Sequence, residues 1–253
     1  MLFDLSGKVA LVTGGGQGVG AGVARMLAGQ GAAVAVNDIA EERAQGTVKA
    51  VADEGGTAVA AVADITDPER VAAMVESVRA QLGPVDILVN NAGIPVSGMN
   101  LKPFVDTGPA DWEPFVRLNF YAVLHCTHAV LPAMIERGRG RIITVVSDAA
   151  KVGEPFQAVY AASKGAAASF SKSLAKEVGK QGITCNCVAL GTVPPQSAEV
   201  RDPERLAKQL KFYPMRRLGT PADVAAAITW LASDEGSWVT GQVISVDGGY
   251  ATG

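Results

Sequence analysis

The chain has 253 residues, 48% hydrophobic and 19% charged, with 29 glycines and a net charge of −3. That make-up excludes a disordered chain and removes any need for disulfide or metal staples. The mild acidity speaks against nucleic-acid binding, which usually shows a basic face. Cys126, Cys185 and Cys187 have no paired spacing, so reduced thiols and a cytoplasmic setting are expected. The first residues include Asp4 and carry no long apolar stretch, so no signal peptide is expected. Nor does any run reach the roughly 18 apolar residues of a membrane helix.

Short β-branched runs alternate with longer alanine-rich stretches. Val9–Thr13 reads as a strand and Gly18–Gly29 as a helix, and Ala33–Asn37 and Glu41–Glu54 repeat the pair. Thr57–Val62 is a third strand. Pro68–Leu82 is a helix with Asp67 placed to cap it and proline in its first turn. Val85–Val89 is a fourth strand, and a long helix around Trp112–Arg137 is expected to kink at Pro132. Then come a strand at Arg141–Val146, a helix over Ala158–Gly179, a strand at Thr184–Val188, a helix over Pro221–Leu231 and a last strand at Val243–Val246. Ala33-Val34-Ala35-Val36 and Ile87-Leu88-Val89 are apolar without alternation, as in strands covered on both faces. The fold class implied is α/β: one domain over residues 1–253, a doubly wound parallel sheet of about seven strands with helices on both faces. The proline-rich stretch 191–214 reads as a lid, with a short helix near Glu204–Lys211.

Thr13-Gly14-Gly15-Gly16-Gln17-Gly18-Val19-Gly20 joins the first strand to the first helix. Glycines there let the backbone turn tightly beside a pyrophosphate, and the helix N-terminus offers free N–H groups. By spacing alone the loop is also compatible with a plain tight turn. Asp38 adds to it, ending the second strand about twenty residues on, where an acid accepts both ribose hydroxyls of adenosine. A cap for the next helix is its other reading. A carboxylate would repel a 2′-phosphate, and neither Asn37, Ile39 nor Gln17 offers a cation. NAD is therefore expected rather than NADP.

Tyr160 and Lys164 stand one helical turn apart and share a face. A nearby ammonium and an oxidised nicotinamide favour a phenolate, so the pair can take a proton from an alcohol or return one to a ketone. Alone the pair is weak, since such spacings arise by chance. Ser147 strengthens it, closing the apolar strand Ile142–Val146 at the edge where parallel sheets carry ligands.

With these residues in view, the chain resembles the short-chain dehydrogenase/reductase family over nearly its whole length, and a Rossmann-type fold is implied. Thr13–Gly20 is similar to that family's cofactor turn, with Gly14, Gln17, Gly18 and Val19 as contacts. Asp64 and Ile65 match the residues that hold adenine, and Asn91, Ala92 and Gly93, in Asn90–Gly93, match the motif bordering the cofactor. Asn119 matches the asparagine that anchors a water to the catalytic lysine; Ser147, Tyr160 and Lys164 match the remaining catalytic positions. Gly219-Thr220-Pro221 and Val246–Gly249 match common C-terminal features. The resemblance implies that Tyr160 is the acid/base, Lys164 lowers its pKa and binds the nicotinamide ribose, Ser147 positions the carbonyl and Asn119 completes a proton relay. It also implies a homotetramer built through the helices around Trp112–Arg137 and Ala158–Gly179 and the last strand.

The pattern breaks after the sixth strand. Leu190-Gly191 replaces the usual Pro-Gly, and Val193 matches the position whose backbone meets the carboxamide. Pro194-Pro195 stands where a threonine is common, so a cofactor-holding hydroxyl is lost. His125, Cys126 and His128 lie in the long helix without a carboxylate at ligand spacing, so no metal is expected. Within the family, Ser147–Gly153 and Ala158–Gly165 resemble dehydrogenases of alicyclic hydroxyacyl-CoA esters and, beyond them, 3-oxoacyl carrier-protein reductases. Lys151, Arg201, Arg205, Lys208 and Lys211 are candidates for CoA phosphates or merely a solvated basic face. Asp148, Lys151 and Gln157 are the candidate substrate contacts. The expectation is an NAD-dependent secondary-alcohol dehydrogenase acting on a small-molecule substrate, with no nucleic-acid or membrane partner. The alternatives are an NADPH-linked 3-oxoacyl carrier reductase and a non-catalytic dinucleotide-binding scaffold.

Overall fold

A computed structural model describes residues 2–99, 101–194 and 202–252, apart from the Arg205 side chain. Seven parallel strands form one sheet in the order β3-β2-β1-β4-β5-β6-β7. They are β1 (Val9–Val12), β2 (Ala33–Asp38), β3 (Thr57–Val62), β4 (Ile87–Asn90), β5 (Gly140–Ser147), β6 (Ile183–Leu190) and β7 (Val243–Val246). The chain starts in the middle, builds outward to β3, then returns to place β4 on the other side of β1. The crevice where that order reverses is where such sheets take ligands.

Helices α1 (Gly18–Gly29), α2 (Glu41–Asp53) and α9 (Pro221–Ala232) bury Val23, Leu27, Ala44, Val51, Ile228 and Leu231 against one face of the sheet. On the other, α3 (Pro68–Leu82), α5 (Ala122–Arg137) and α7 (Ala158–Val178) bury Val71, Val78, Val130, Met134, Leu174 and Val178. Double coverage explains the unbroken apolar runs of the central strands. Asp67 caps α3, accepting from the amides of Glu69 at 2.9 Å and Arg70 at 3.2 Å; such a cap contributes about 1 kcal/mol.

The long helix differs from expectation. It starts at Pro109 as α4 (Pro109–Val116), passes through a π-turn at Arg117–Tyr121 and continues as α5, which holds Pro132 within it. The irregular turn thus falls at Asn119, where one residue too many is looped into the helix. The joined segment Pro109–Arg137 is, by length and composition, long and apolar enough to cross a membrane, which corrects the expectation that no stretch would be. Its face bearing Ala122, Cys126, Val130 and Met134 lies in the core beside α3 and α7. A short helix α6 (Ala149–Val152) after Ser147 was not anticipated, and α8 (Pro203–Leu210) forms where the lid helix was expected.

Candidate active site

Each strand end at the carboxyl edge delivers one part of the site. Past β1 the chain leaves the sheet at Thr13, whose hydroxyl accepts from the amides of Asn91 at 3.0 Å and Ala92 at 3.2 Å. The Asn91 side-chain amide in turn donates to the carbonyls of Thr13 at 2.9 Å and Gly14 at 3.1 Å. Asn91 and Ala92 therefore fasten the segment after β4 to the glycine loop. A Cβ on Gly20 would lie 2.1 Å from the Gly14 carbonyl oxygen, so α1 approaches the loop too closely for any side chain there. Gly18 has φ 54° and opens onto free space, and Gln17, at the N-cap, makes no side-chain capping bond. Val19 packs partly buried against the core. The result is a bare backbone concavity at the N-terminus of a twelve-residue helix, which suits a pyrophosphate.

Asp38 closes β2 and is 5% exposed. Its Oδ2 lies 2.6 Å from where a Cβ on Gly16 would stand, so it faces the glycine loop. Its Oδ1 accepts from the Ala40 amide at 3.0 Å and from Arg43, at 3.2 Å from Nε and 2.8 Å from Nη2. Arg43 is a cation near Asp38 that inspection of Asn37 and Ile39 missed: the first turn of α2 folds it back onto the acid. Beyond β3, Asp64 accepts from the amide and hydroxyl of Thr66 at 2.9 and 2.8 Å, and Ile65 is buried in the core. The Ala63 amide donates to the Asp38 carbonyl at 3.3 Å, which brings this turn beside Asp38. The backbone concavity and the acid beside it fit a dinucleotide with its adenosine end at β2 and β3.

The proton-handling groups meet beyond β4 and β5. A Cβ on Gly93 would lie 2.6 Å from Lys164 Nζ and 2.9 Å from Asn119 Oδ1. Those two atoms thus flank one small space, which only glycine leaves open. The π-turn directs Asn119 inward, where its amide donates to the Phe115 carbonyl at 3.1 Å and its Oδ1 is buried without a donor among the described residues. Lys164 is 4% exposed and donates to the Val145 carbonyl at 2.7 Å; burial pulls its pKa down to about 8, opposed by the nearby Cys187. The Tyr160 hydroxyl faces that of Ser147, which favours the phenolate, and Ser147 accepts from the Ala149 amide at 3.2 Å.

Burial pushes the Tyr160 phenol up, and the Ser147 bond only partly offsets this. The role expected of Lys164, to favour the phenolate, therefore works against this burial. Its ring meets Phe115 edge-on, with centroids 6.0 Å apart. Beside it Gln157 lines a mostly apolar pocket with Phe104, Trp112 and Phe156. The other two substrate-side candidates face elsewhere: Lys151 donates to Ser245 at 2.9 Å, and Asp148 is 1% exposed and accepts from the same hydroxyl at 3.1 Å. Neither Ser245 nor its neighbour Asp247 carried a signal in the sequence beyond the Val246–Gly249 motif.

Val193 packs against the core after β6. Next to it, Thr192 accepts from Gln209 at 3.1 Å and from the Tyr213 hydroxyl at 2.9 Å, which ties α8 to the end of β6. Pro195 and Arg201 lie outside the described residues, as does the Arg205 side chain. His125 Nδ1 sits 3.3 Å from the Ile65 carbonyl oxygen, and Cys126 is buried. Among the described residues no group of three His, Cys, Asp or Glu side chains could hold a metal ion.

Comparison with known proteins converges on one group. The Enoyl-(Acyl carrier protein) reductase family matches residues 14–251. Nodulation protein G of Rhizobium sp. (strain N33) is 38% identical over 251 residues, 99% of each chain. The 3-oxoacyl-[acyl-carrier-protein] reductase FabG of Escherichia coli (strain K12) is 37% identical over 248 residues, 98% of each. Among solved structures, a 7α-hydroxysteroid dehydrogenase complexed with NADH and 7-oxo glycochenodeoxycholic acid superposes with TM-score 0.91 at 38% identity, covering 98% of this chain and 95% of that one.

Proposed function

The chain belongs to the short-chain dehydrogenase/reductase family, and we propose that it transfers hydride between NAD(H) and a secondary alcohol or ketone carried on a cyclic or hydroxyacyl-CoA substrate. The observation that carries this is that Lys164 and Asn119 flank the space at Gly93, Lys164 is bonded to Val145 two residues before Ser147, and Tyr160, one turn before Lys164, faces Ser147. A binding scaffold has no use for a buried lysine at that point. In this reading Gly14, Gln17, Gly18 and Val19 meet the pyrophosphate, Asp38 the ribose hydroxyls, and Asp64 and Ile65 the adenine. Asn91, Ala92 and Gly93 border the cofactor and the Val193 backbone meets the carboxamide. When bound, the nicotinamide supplies or accepts the hydride.

The side chains then manage the proton. Tyr160 hands its hydroxyl proton to the carbonyl oxygen that Ser147 holds. Lys164, cationic below about pH 8, stabilises the phenolate left behind and binds the nicotinamide ribose. Asn119 Oδ1, a buried acceptor beside the ammonium, accommodates a water through which Lys164 and Tyr160 are reprotonated. For oxidation, the positive charge of the oxidised ring counters the burial that holds the phenol up.

An apolar substrate is supported by the exposed Ile94 and Val96 after β4, Val152 and Phe156 after β5, and Phe212 and Met215 after β6. Val152 ends α6 and the other five lie on loops, all on segments that follow the carboxyl ends of these strands. An NADPH-linked 3-oxoacyl carrier reductase is the second reading, favoured by Arg43 on Asp38 and by the similar carrier-protein reductase. We further propose a cytoplasmic homotetramer, because β7 is an uncovered sheet edge and Trp238 beside it is 98% exposed; a monomer by light scattering would contradict it. For the activity, Tyr160→Phe should cut turnover at least about 1,000-fold while NADH still binds. Substantial remaining turnover would sink the proposal.

A further inference from the structure

Behind Ser147 lies a pair of acids that the proton transfer does not use. Asp148 follows the serine directly and is 1% exposed, and Asp247 follows β7. Their carboxyl groups stand within hydrogen-bonding reach of each other. Three of the four oxygens have donors: Asp148 Oδ1 accepts from Ser245 at 3.1 Å, Asp247 Oδ1 from the Gly249 amide at 2.9 Å, and Asp247 Oδ2 from the Ala251 amide at 2.7 Å. The fourth, Asp148 Oδ2, is buried without a donor among the described residues. Two ionised carboxylates so placed repel, and a buried acceptor without a donor is destabilising. A single proton on Asp148 Oδ2 removes both faults by donating to Asp247. Both Asp247 oxygens already accept backbone amides and Asp148 Oδ2 accepts nothing, so the proton is placed on Asp148.

The pair also joins two separate segments of the chain. The Asp148 amide donates to the Leu190 carbonyl at 3.1 Å, holding the segment behind Ser147 to β6. Asp247 organises the turn through Ala251, where the Gly248 carbonyl accepts from the Met215 amide at 3.1 Å. Tyr250 in the same turn bonds Glu154 and stacks on Tyr213, with centroids 5.2 Å apart, at the base of the lid.

We propose that Asp148 and Asp247 share one proton in an acid–carboxylate hydrogen bond, and that this bond pins the segment behind Ser147 to the C-terminal turn beneath the lid. Asp148 is then a positioning residue, a role that rests on Ser147 holding the substrate oxygen. The groups facing it are Asp247 and Ser245 from the β7 side and Lys151 from α6, with Tyr250 and Glu154 beyond. Burial first, then Asp247, push the Asp148 carboxyl up to about 6, against the pull of Ser245 and Lys151. The folded chain therefore holds this proton more tightly than the unfolded one. Its stabilising effect is present at low pH and is lost as pH rises towards and past about 6.

The test compares the full-length wild type with Asp148→Asn, Asp148→Ala and Asp247→Asn. An asparagine at 148 mimics the protonated acid, since its amide N–H donates to Asp247 and its oxygen accepts from Ser245. The thermal midpoint of the wild type should fall relative to Asp148→Asn between about pH 4 and 6 and hold level with it above about pH 7. The kcat of Asp148→Asn should lose an inflection near pH 6 that the wild type shows, whereas Asp148→Ala should lose about tenfold in kcat with little change in KM for NADH. Asp247→Asn should flatten the same midpoint curve; should it or the alanine variant fail to fold, the Asp148→Asn comparison decides alone. A midpoint curve unchanged by Asp148→Asn, or equal kcat in the asparagine and alanine variants, overturns the proposal. The midpoint needs no substrate, so a chain that reduced no carbonyl would sink the oxidoreductase reading and still report on the pair.

Discussion

Lys164 Nζ donates to the carbonyl of Val145, two residues ahead of Ser147, at 2.7 Å. Helix α7 and strand β5 are thereby fixed to each other at the point where one carries Tyr160 and the other Ser147. The bond requires the ammonium to be buried, and burial drags its pKa to about 8. The sign of the consequence follows. The folded state binds fewer protons than the unfolded between about pH 8 and the ordinary lysine value of 10.5, so Lys164 makes the protein more stable as pH rises through that window. Lys164→Met removes the titration and keeps the packing. The difference in thermal midpoint between wild type and variant should move in favour of the wild type from pH 8 to 10, while the variant turns over no substrate. A difference constant with pH would count against the buried-ammonium account.

Gly93 offers a sharper separation of fold from function. A Cβ there would meet Lys164 Nζ at 2.6 Å and Asn119 Oδ1 at 2.9 Å. The nearest atom is the far end of a flexible side chain, which can swing away without disturbing the backbone. Gly93→Ala should therefore fold with a midpoint within about 3 °C of wild type and lose about 100-fold or more in kcat. Measured kcat near wild type would mean that the space between lysine and asparagine is not used.

Much of this was legible in the sequence because the relevant signals are local. Gly18–Gly29, Thr57–Val62, Pro68–Leu82 and Val243–Val246 have the ends their composition suggested, since caps, prolines and apolar runs act over a few residues. The glycine loop and the Tyr160–Lys164 pair are equally local. What escaped notice depends on distance in the chain or on a competition of energies. Arg43 reaches Asp38 only because α2 turns back over the end of β2. Asp148 and Asp247 are brought together by strands ninety-nine positions apart in the chain, and nothing in either neighbourhood announces the other. The π-turn was hidden by Pro132, the more obvious irregularity in the long helix. Spacing reveals the lysine near Tyr160 but not the depth of burial that pushes the phenol up.

Tyr213, just after α8, gives a third prediction. The Tyr213 hydroxyl accepts from the Thr192 amide at 3.0 Å and donates to the Thr192 hydroxyl at 2.9 Å, and the residue is 4% exposed. Tyr213→Phe keeps the ring against Tyr250 and strands a backbone donor, at a cost of about 1–3 kcal/mol. Thermal melts should show a drop of several degrees. Because Thr192 adjoins Val193, where the nicotinamide carboxamide is expected, the KM for NADH should rise about three- to tenfold. An unchanged KM would detach the Tyr213–Thr192 contact from cofactor binding.

Cofactor choice turns on whether Asp38 or Arg43 decides it. Asp38 is buried and turns Oδ2 to the glycine loop, whereas Arg43 is 40% exposed and bound to the other oxygen. A 2′-phosphate at this place would meet the carboxylate at close quarters, and a hydroxyl pair would be accepted by it. The arginine neutralises part of that charge, so the discrimination against NADP should be smaller than for a bare acid. Asp38→Ala removes the ribose acceptor and frees Arg43 for a phosphate. Its kcat/KM should fall about 10- to 100-fold with NAD and rise with NADP, and the gain should vanish in the double variant Asp38→Ala/Arg43→Ala. Titration calorimetry with NADH and NADPH checks the same order in binding. A wild-type protein that favoured NADP, with Arg43→Ala abolishing that preference, would make the arginine the deciding residue and turn the proposal towards the NADPH-linked carrier reductase.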